Sequence, residues 1–375
     1  MKKNNRFLRM AAFALVGVLL CGSLCACTEK EDTLVTDITS GEYVYTRSEN
    51  TGTARISRYK GVADELVIPQ LLDNLPVVGI EKNAFAENKT LKQVTLPSTV
   101  EWIEAGAFKN CEKLTTVKTG ETLKSIGSYA FSGCVSLSAI SLPDTLETIG
   151  NNAFFGCAAL ENVLLGKNIT SVGVDAFYGT QWFASLKDEF VIVGDGVLID
   201  YNGKGGTVTI PDTVKHIAGA FVDNSVVKKV ILPQGMTQVD KDAFRGCMTL
   251  AAVEIPDSVT VIEEYAFSRC SSLTKVTLPQ TLTEIKSNAF SGCVGLLEAV
   301  IPEKVTVISE NAFSECRALS SVTFTKKLSE IQKDAFAGCG AINVVAYSGT
   351  KSDWEKVRIA DGNEALANAL LNCKE

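Results

Sequence analysis

Twelve cysteines, a single histidine and 43 acidic residues are the side chains in this 375-residue sequence that could do chemistry. Cysteine with histidine could hold a metal or form a nucleophile, and paired carboxylates could cleave a glycosidic bond. Their spacing argues against the first two, whereas no spacing in a repeating stack forbids two carboxylates from meeting across its layers. Eight cysteines, Cys111, Cys134, Cys157, Cys247, Cys270, Cys293, Cys316 and Cys339, each stand three residues after a recurring phenylalanine. A column of that kind is spread along a stack at about 4.8 Å per layer, whereas a metal needs ligands converging on one point. The column also splits into a group of three and a group of five, so pairing neighbours as disulfides leaves one over in each. We read these residues as small buried free thiols, with some disulfides as the alternative. At the same place other units carry Asn88, Thr180 and Asn224. No metal and no cofactor is expected.

His216 sits in Val214-Lys215-His216-Ile217, at an outward, variable position of its unit, with no matched nucleophile. It reads as a structural or exposed histidine. Glu263 and Glu264 form the densest acidic pair and read as an exposed corner. The expectation is a protein that is not an enzyme.

These residues are positioned by a repeat. An Ala-Phe pair recurs at Phe85, Phe108, Phe131, Phe154 and Phe177, then at Phe221, Phe244, Phe267, Phe290, Phe313 and Phe336, every 23 residues except for one gap of 44. Units of this length cannot bury their own apolar face and must stack on their neighbours, which predicts a solenoid with one elongated core. The unit Leu273 to Cys293 shows its parts. Leu273, Val276 and Leu278 mark a strand ended by Pro279, Leu282 to Ile285 marks a second short strand, and Ser287 to Cys293 reads as one helical turn pressing Phe290 inward. The predicted fold is a repeat solenoid, mainly β with short helical turns, of about eleven such coils.

The pattern L-x-x-V-x-L-P-x-x-L-x-x-I-x-x-x-A-F-x-x-C resembles the BspA-like subtype of the leucine-rich repeat family of bacterial surface proteins. Leu91 to Pro97, Leu137 to Pro143, Leu250 to Pro256 and Leu273 to Pro279 carry it, and the resemblance spans about residues 63 to 345. No asparagine ladder follows the strand, so residues of other leucine-rich subtypes do not transfer.

Residues 1–27 read as a leader. Lys2, Lys3, Arg6 and Arg9 precede the apolar run Met10 to Leu20, which is too short for a typical spanning helix. Leu24-Cys25-Ala26-Cys27 resembles the lipobox of bacterial lipoproteins, which implies lipidation of Cys27 and a membrane anchor; an ordinary cleaved secretion signal is the alternative. Cys21 and Cys25 fit less well, because leucine precedes each. Thr28-Glu29-Lys30-Glu31-Asp32 resembles acidic signals that send some bacterial lipoproteins to the outer surface, or is a solvated linker. Removing the leader takes the formal charge from -7 to -11, and no basic stripe points to nucleic acid.

Both ends look capped. Residues 28–62 read as a tether and hairpin built on Tyr43, Tyr45, Ala54 and Ile56. Residues 346–375 supply Tyr347, Trp354, Val357 and Ile359, a helix-compatible run Ala365 to Leu371, and Cys373 in an exposed tail. The long gap, about residues 178–206, reads as a modified coil with a hairpin; Trp182 and Tyr201 make it a candidate insert site, or an irregular coil that packs its tryptophan.

On the main strand, residues flanking the central valine face outward by the period of two. One column runs Gln93, Thr116, Ala139, Asn162, Lys229, Ala252, Lys275, Glu298 and Ser321, and its neighbour runs Thr95, Lys118, Ser141, Leu164, Ile231, Glu254, Thr277, Val300 and Thr323. Both lack aromatics, so recognition there should be broad and polar. The mixed patch Lys229, Ile231, Glu254, Lys275, Thr277 and Glu298 is the candidate binding face. The resemblance implies a protein-binding adhesin at the cell surface, engaging host matrix or serum proteins or other cells; the alternative is a non-adhesive envelope scaffold.

Overall fold

The computed structural model describes residues 32–374. Two sides of the solenoid are parallel ladders, each built in several stretches. The main strands Glu65–Val67, Gln93–Thr95, Thr116–Lys118, Ala139–Ser141 and Asn162–Leu164 form the first sheet, each pairing with its equivalent in the next coil. Two-residue strands such as Trp102–Ile103, Ser125–Ile126, Thr148–Ile149 and Ser171–Val172 form the second. Between the two, Pro97 turns the corner, its carbonyl accepting from Val100 N–H at 3.2 Å.

The third side of each coil corrects one expectation. Residues around the Ala-Phe pair form successive four-residue β-turns and not a helical turn. In the Phe108 coil, Ala107, Lys109 and Cys111 donate back to Glu104, Gly106 and Phe108, while the alternate amides of Gly106, Phe108 and Asn110 donate to Ser128, Ala130 and Ser132 of the next coil at 2.7–2.9 Å. A helix would turn all of these amides along its own axis; here half of them must point sideways. That alternation requires left-handed residues. The position two before the phenylalanine has a positive φ in all eleven coils, and Asn, Asp or Gly occupies it everywhere except at Tyr129 and Tyr265.

Equivalent phenylalanines sit ring over ring. From Phe108 through Phe177 the centroids are 5.2 Å apart with planes within 5° of parallel, a geometry set by the coil rise. The column of eight cysteines lies beside them, buried and free, as the spacing implied. Every one of the eight thiols donates to the carbonyl of the phenylalanine 26 residues earlier, one coil plus one turn away, at 2.8–3.3 Å. A valine of similar bulk would leave that contact unmade, which gives the position its physical preference for cysteine. Burial pushes the Cys247 and Cys293 thiols up to about 12, far from the thiolate that reacts.

The core is not continuous. One apolar cluster runs from Tyr45 to Ile199 and a second from Leu198 to Leu366, meeting at the irregular coil. There the chain forms a short helix Gln181–Ser185, N-capped by Thr180, and an antiparallel hairpin of Phe190–Val193 with Val197–Tyr201. The second ladder stops at Ser171–Val172, and Val197–Tyr201 pairs in parallel with His216–Ile217 in a sheet of its own. The main ladder breaks, stopping at Asn162–Leu164 and resuming at Gly206–Thr209. It breaks again at the Phe267 coil's successor: Leu273 to Leu278 keeps its apolar residues buried but forms no strand.

At the N-terminal end an antiparallel meander, Leu34–Ser40, Tyr43–Ser48 and Thr53–Tyr59, joins the second ladder, and Tyr59 stacks on Phe85 at 5.2 Å. At the other end the helix Glu364–Ala367 is shorter than the sequence implied, and Leu370–Lys374 is a strand pairing with Val344–Thr350. Cys373 is therefore half-buried in that strand and not in an exposed tail. Buried Asn363 accepts from Phe336 N–H at 2.9 Å, supplying the acceptor that another coil would have given.

Candidate binding surfaces

The candidate strand face spans four successive coils. Lys229 and Ile231 pair with Ala252 and Glu254 in the ladder. Lys229 Nζ meets Glu254 Oε1 at 2.5 Å, and Lys275 Nζ meets Glu298 Oε1 at 2.8 Å. The four charges thus form two solvent-facing pairs, which contribute little to stability and reduce the local field. Thr277 is exposed and Ile231 half-buried. Beside them Leu297 and Val300 are each about half exposed, so the patch combines neutralised charge with apolar surface.

The insert residues are placed differently from a displayed site. Tyr201 is 8% exposed, its ring between Phe190 at 5.3 Å and Phe221 at 5.0 Å. Trp182 packs edge-on against Phe177 at 4.8 Å. These two rings finish the phenylalanine stacks where the repeat lapses, so they serve the core.

His216 is half-buried and not simply outward. Its Nδ1 lies 3.2 Å from Asp240 Oδ1, which also accepts from Gln238 at 2.6 Å, while Asp240 Oδ2 accepts from Ile217 N–H at 2.7 Å. The hydrogen bond to Asp240 raises the imidazole above its usual range despite burial. The pair borders a groove of about 450 Å³ that also touches Ser171, Lys241 and Glu263. Burial raises Glu263, and Glu264 pairs with Lys241, so neither is a bare exposed corner. Among the described residues no nucleophile hydrogen-bonds to His216, and no three His, Cys, Asp or Glu side chains converge to hold a metal. Cys27 lies outside the described residues, and among those described no helix is long and apolar enough to cross a membrane.

Aromatic surface exists, on the turn side and not on the strand face. Phe155 and Tyr178 are 39% and 58% exposed and stack at 5.7 Å, and the Tyr129 ring lies 5.6 Å from Lys109 Nζ. The signal was in the sequence, as Ala-Phe-Phe and Ala-Phe-Tyr where most coils follow the pair with a small or polar residue.

Several solved structures resemble the chain. A leucine rich cell surface protein from Faecalibacterium prausnitzii is 24% identical, covering 89% of this chain and 100% of its own, with a TM-score of 0.43. A leucine-rich repeat protein from Eubacterium ventriosum is 21% identical over 92% and 96%, with a TM-score of 0.49. The pneumococcal vaccine antigen PcpA is 18% identical over 92% and 99%, with a TM-score of 0.47. No curated protein matches. The BspA type leucine rich repeat region matches residues 78–188, 201–314 and 237–355, most of the chain, and with the coil geometry above this makes the protein a member of the BspA type leucine-rich repeat family.

Proposed function

We propose that this is an exported, lipid-anchored protein that binds other proteins through its strand face, as an adhesin for host matrix or serum proteins. The observation that carries the reading is the strand face itself. It offers outward columns in which paired charges at Lys229, Glu254, Lys275 and Glu298 surround exposed Leu297 and Val300. Such mixed, largely desolvatable surface suits protein recognition. The leader ending at Cys27 supports anchoring, and residues 28–62, 63–345 and 346–375 serve as tether with cap, repeat array and closing cap. The family is the ground for placing it at the cell surface. An envelope scaffold without a host ligand is the second reading, favoured by the near-neutral pairing of the patch.

The test is a pull-down from matrix and serum proteins with the protein and with a variant in which Lys229, Glu254, Lys275 and Glu298 are all alanine. A partner held by the first and lost by the second supports the adhesin and its face. A partner held equally by both moves the site off this face, and retention of envelope proteins alone supports the scaffold.

A further inference from the structure

The turn side of the solenoid lacks one layer. In the coils of Phe85, Phe108, Phe131 and Phe154, three alternate amides each donate to carbonyls of the following coil. After the Phe177 coil the chain makes a helix and hairpin and lays down no turn segment. The amides of Asp175, Phe177 and Gly179, which are the next members of that series, have no partner among the described residues. On the opposite wall, the carbonyls of Ala218, Ala220 and Val222, equivalent to those that accept elsewhere, are also unpaired. Between the walls lies a cleft of about 500 Å³, bordered by Asp175, Tyr178, Phe183, Asp200, Ala220 and Asp223. Val174 closes its inner end against Gly219, where an added Cβ would sit 2.9 Å from the valine methyl.

We propose that this cleft is a binding slot for a basic peptide segment of a partner protein. A row of donors facing a row of acceptors at alternate residues is what one polypeptide backbone satisfies on both sides, as the turn segment of each regular coil does between its two neighbours. Three alternate contacts per wall fix the length at about five residues, as in those turn segments. The rings of Tyr201 and Trp182 already close the core beneath, so small side chains suffice in the centre. Three carboxylates, Asp175, Asp200 and Asp223, border the slot without a cation paired to any of them among the described residues. Burial holds Asp200 above the usual carboxylate range. The stacked Phe155 and Tyr178 extend the same side with exposed aromatic surface.

This site goes beyond the strand face and stands apart from it. The probe is the fluorescent peptide Lys-Lys-Ser-Ala-Ser-Ala-Ser-Lys-Lys, titrated into the full-length protein. The expected result is one peptide per chain, with the amides of Asp175, Phe177 and Gly179 gaining hydrogen-exchange protection. A peptide N-methylated at alternate central residues should bind about tenfold more weakly, since two or so hydrogen bonds are lost. The Asp175→Asn/Asp223→Asn variant should bind more weakly at low salt and show a flatter salt dependence. No binding, equal binding of the methylated peptide, or binding that leaves those amides unprotected overturns the proposal. Displacement of the peptide by a neutral oligosaccharide at equal concentration overturns it also, because the slot then reads sugar. The alanine variant of the strand face should keep peptide binding, so failure of either site leaves the other standing.

Discussion

Replacing Phe290 by alanine tests whether the solenoid is one cooperative unit or two. The ring is fully buried between Phe267 and Phe313, at 5.3 and 5.2 Å. Its loss removes a side chain from a packed column that cannot collapse, because the coil rise is fixed by the ladders on either side. Truncations of that kind cost about 3–5 kcal/mol. With a urea dependence of about 2 kcal/mol per molar for the affected half, the midpoint falls by about 2 M. The structure says which half. Its two apolar clusters meet at the irregular coil, where the phenylalanine stack, the main ladder and the second ladder are all interrupted. In a stack whose stability is a sum of nearest-neighbour terms, the weakest interface is where unfolding separates. Trp354 packs on Phe324 and Tyr347 in the C-terminal cluster, whereas Trp102 and Trp182 lie in the N-terminal half. With the latter two changed to phenylalanine, Trp354 fluorescence follows the C-terminal half and far-ultraviolet dichroism follows both. The expected result is two transitions, with Phe290→Ala lowering only the one that Trp354 reports. A single transition in the parent, or an equal shift of both, refutes the argument.

Other expectations follow from single positions. Of the nine cysteines among the described residues, Cys373 alone should react with a thiol reagent in the folded protein, and the remaining eight only after denaturant; rapid labelling of several would mean the column is not packed as described. Asp240 raises the folded-state value of His216, so the pair's stabilisation is present below the unfolded value of about 6.5 and fades as pH rises through the higher folded value. With the imidazole a third exposed, it amounts to at most about 1 kcal/mol, and His216→Gln should lower the melting temperature at pH 5.5 but not at pH 9. Tyr265 holds φ of 59° where most coils place Asn, Asp or Gly, so Tyr265→Asn should raise the melting temperature, by about 0.5–1 kcal/mol of stability; a lowered value would show that the tyrosine ring contributes more than the backbone strain costs.

Much of this molecule was legible in the chain because its contacts are periodic. A residue touches its equivalent 23 positions on, so the column of Phe108, Phe131 and Phe154 and the buried column of Cys111, Cys134 and Cys157 could be drawn before any coordinate was known. The outward residues of the strand face followed from the period of two. What the sequence misled on was geometry that one coil cannot show. The Ala-Phe segment has the spacing of a helical turn, yet its alternate amides are claimed by the next coil, and left-handed residues are needed to aim them. The thiol bond to the phenylalanine carbonyl joins residues 26 apart, a separation that no local pattern advertises.

The irregular coil marks the boundary between the two kinds of knowledge. From the sequence alone, a gap of 44 residues established that the repeat lapses, and the apolar run after Gln181 established that the lapse still packs. Only the tertiary structure decided that Tyr201 and Trp182 turn inward, that His216 finds Asp240, and that donors and acceptors face each other across a missing layer. The reason is physical. Where each unit stacks on a copy of itself, translation along the axis fixes every partner; where a unit has no copy, its partners are set by the packing of that one segment against two unlike neighbours.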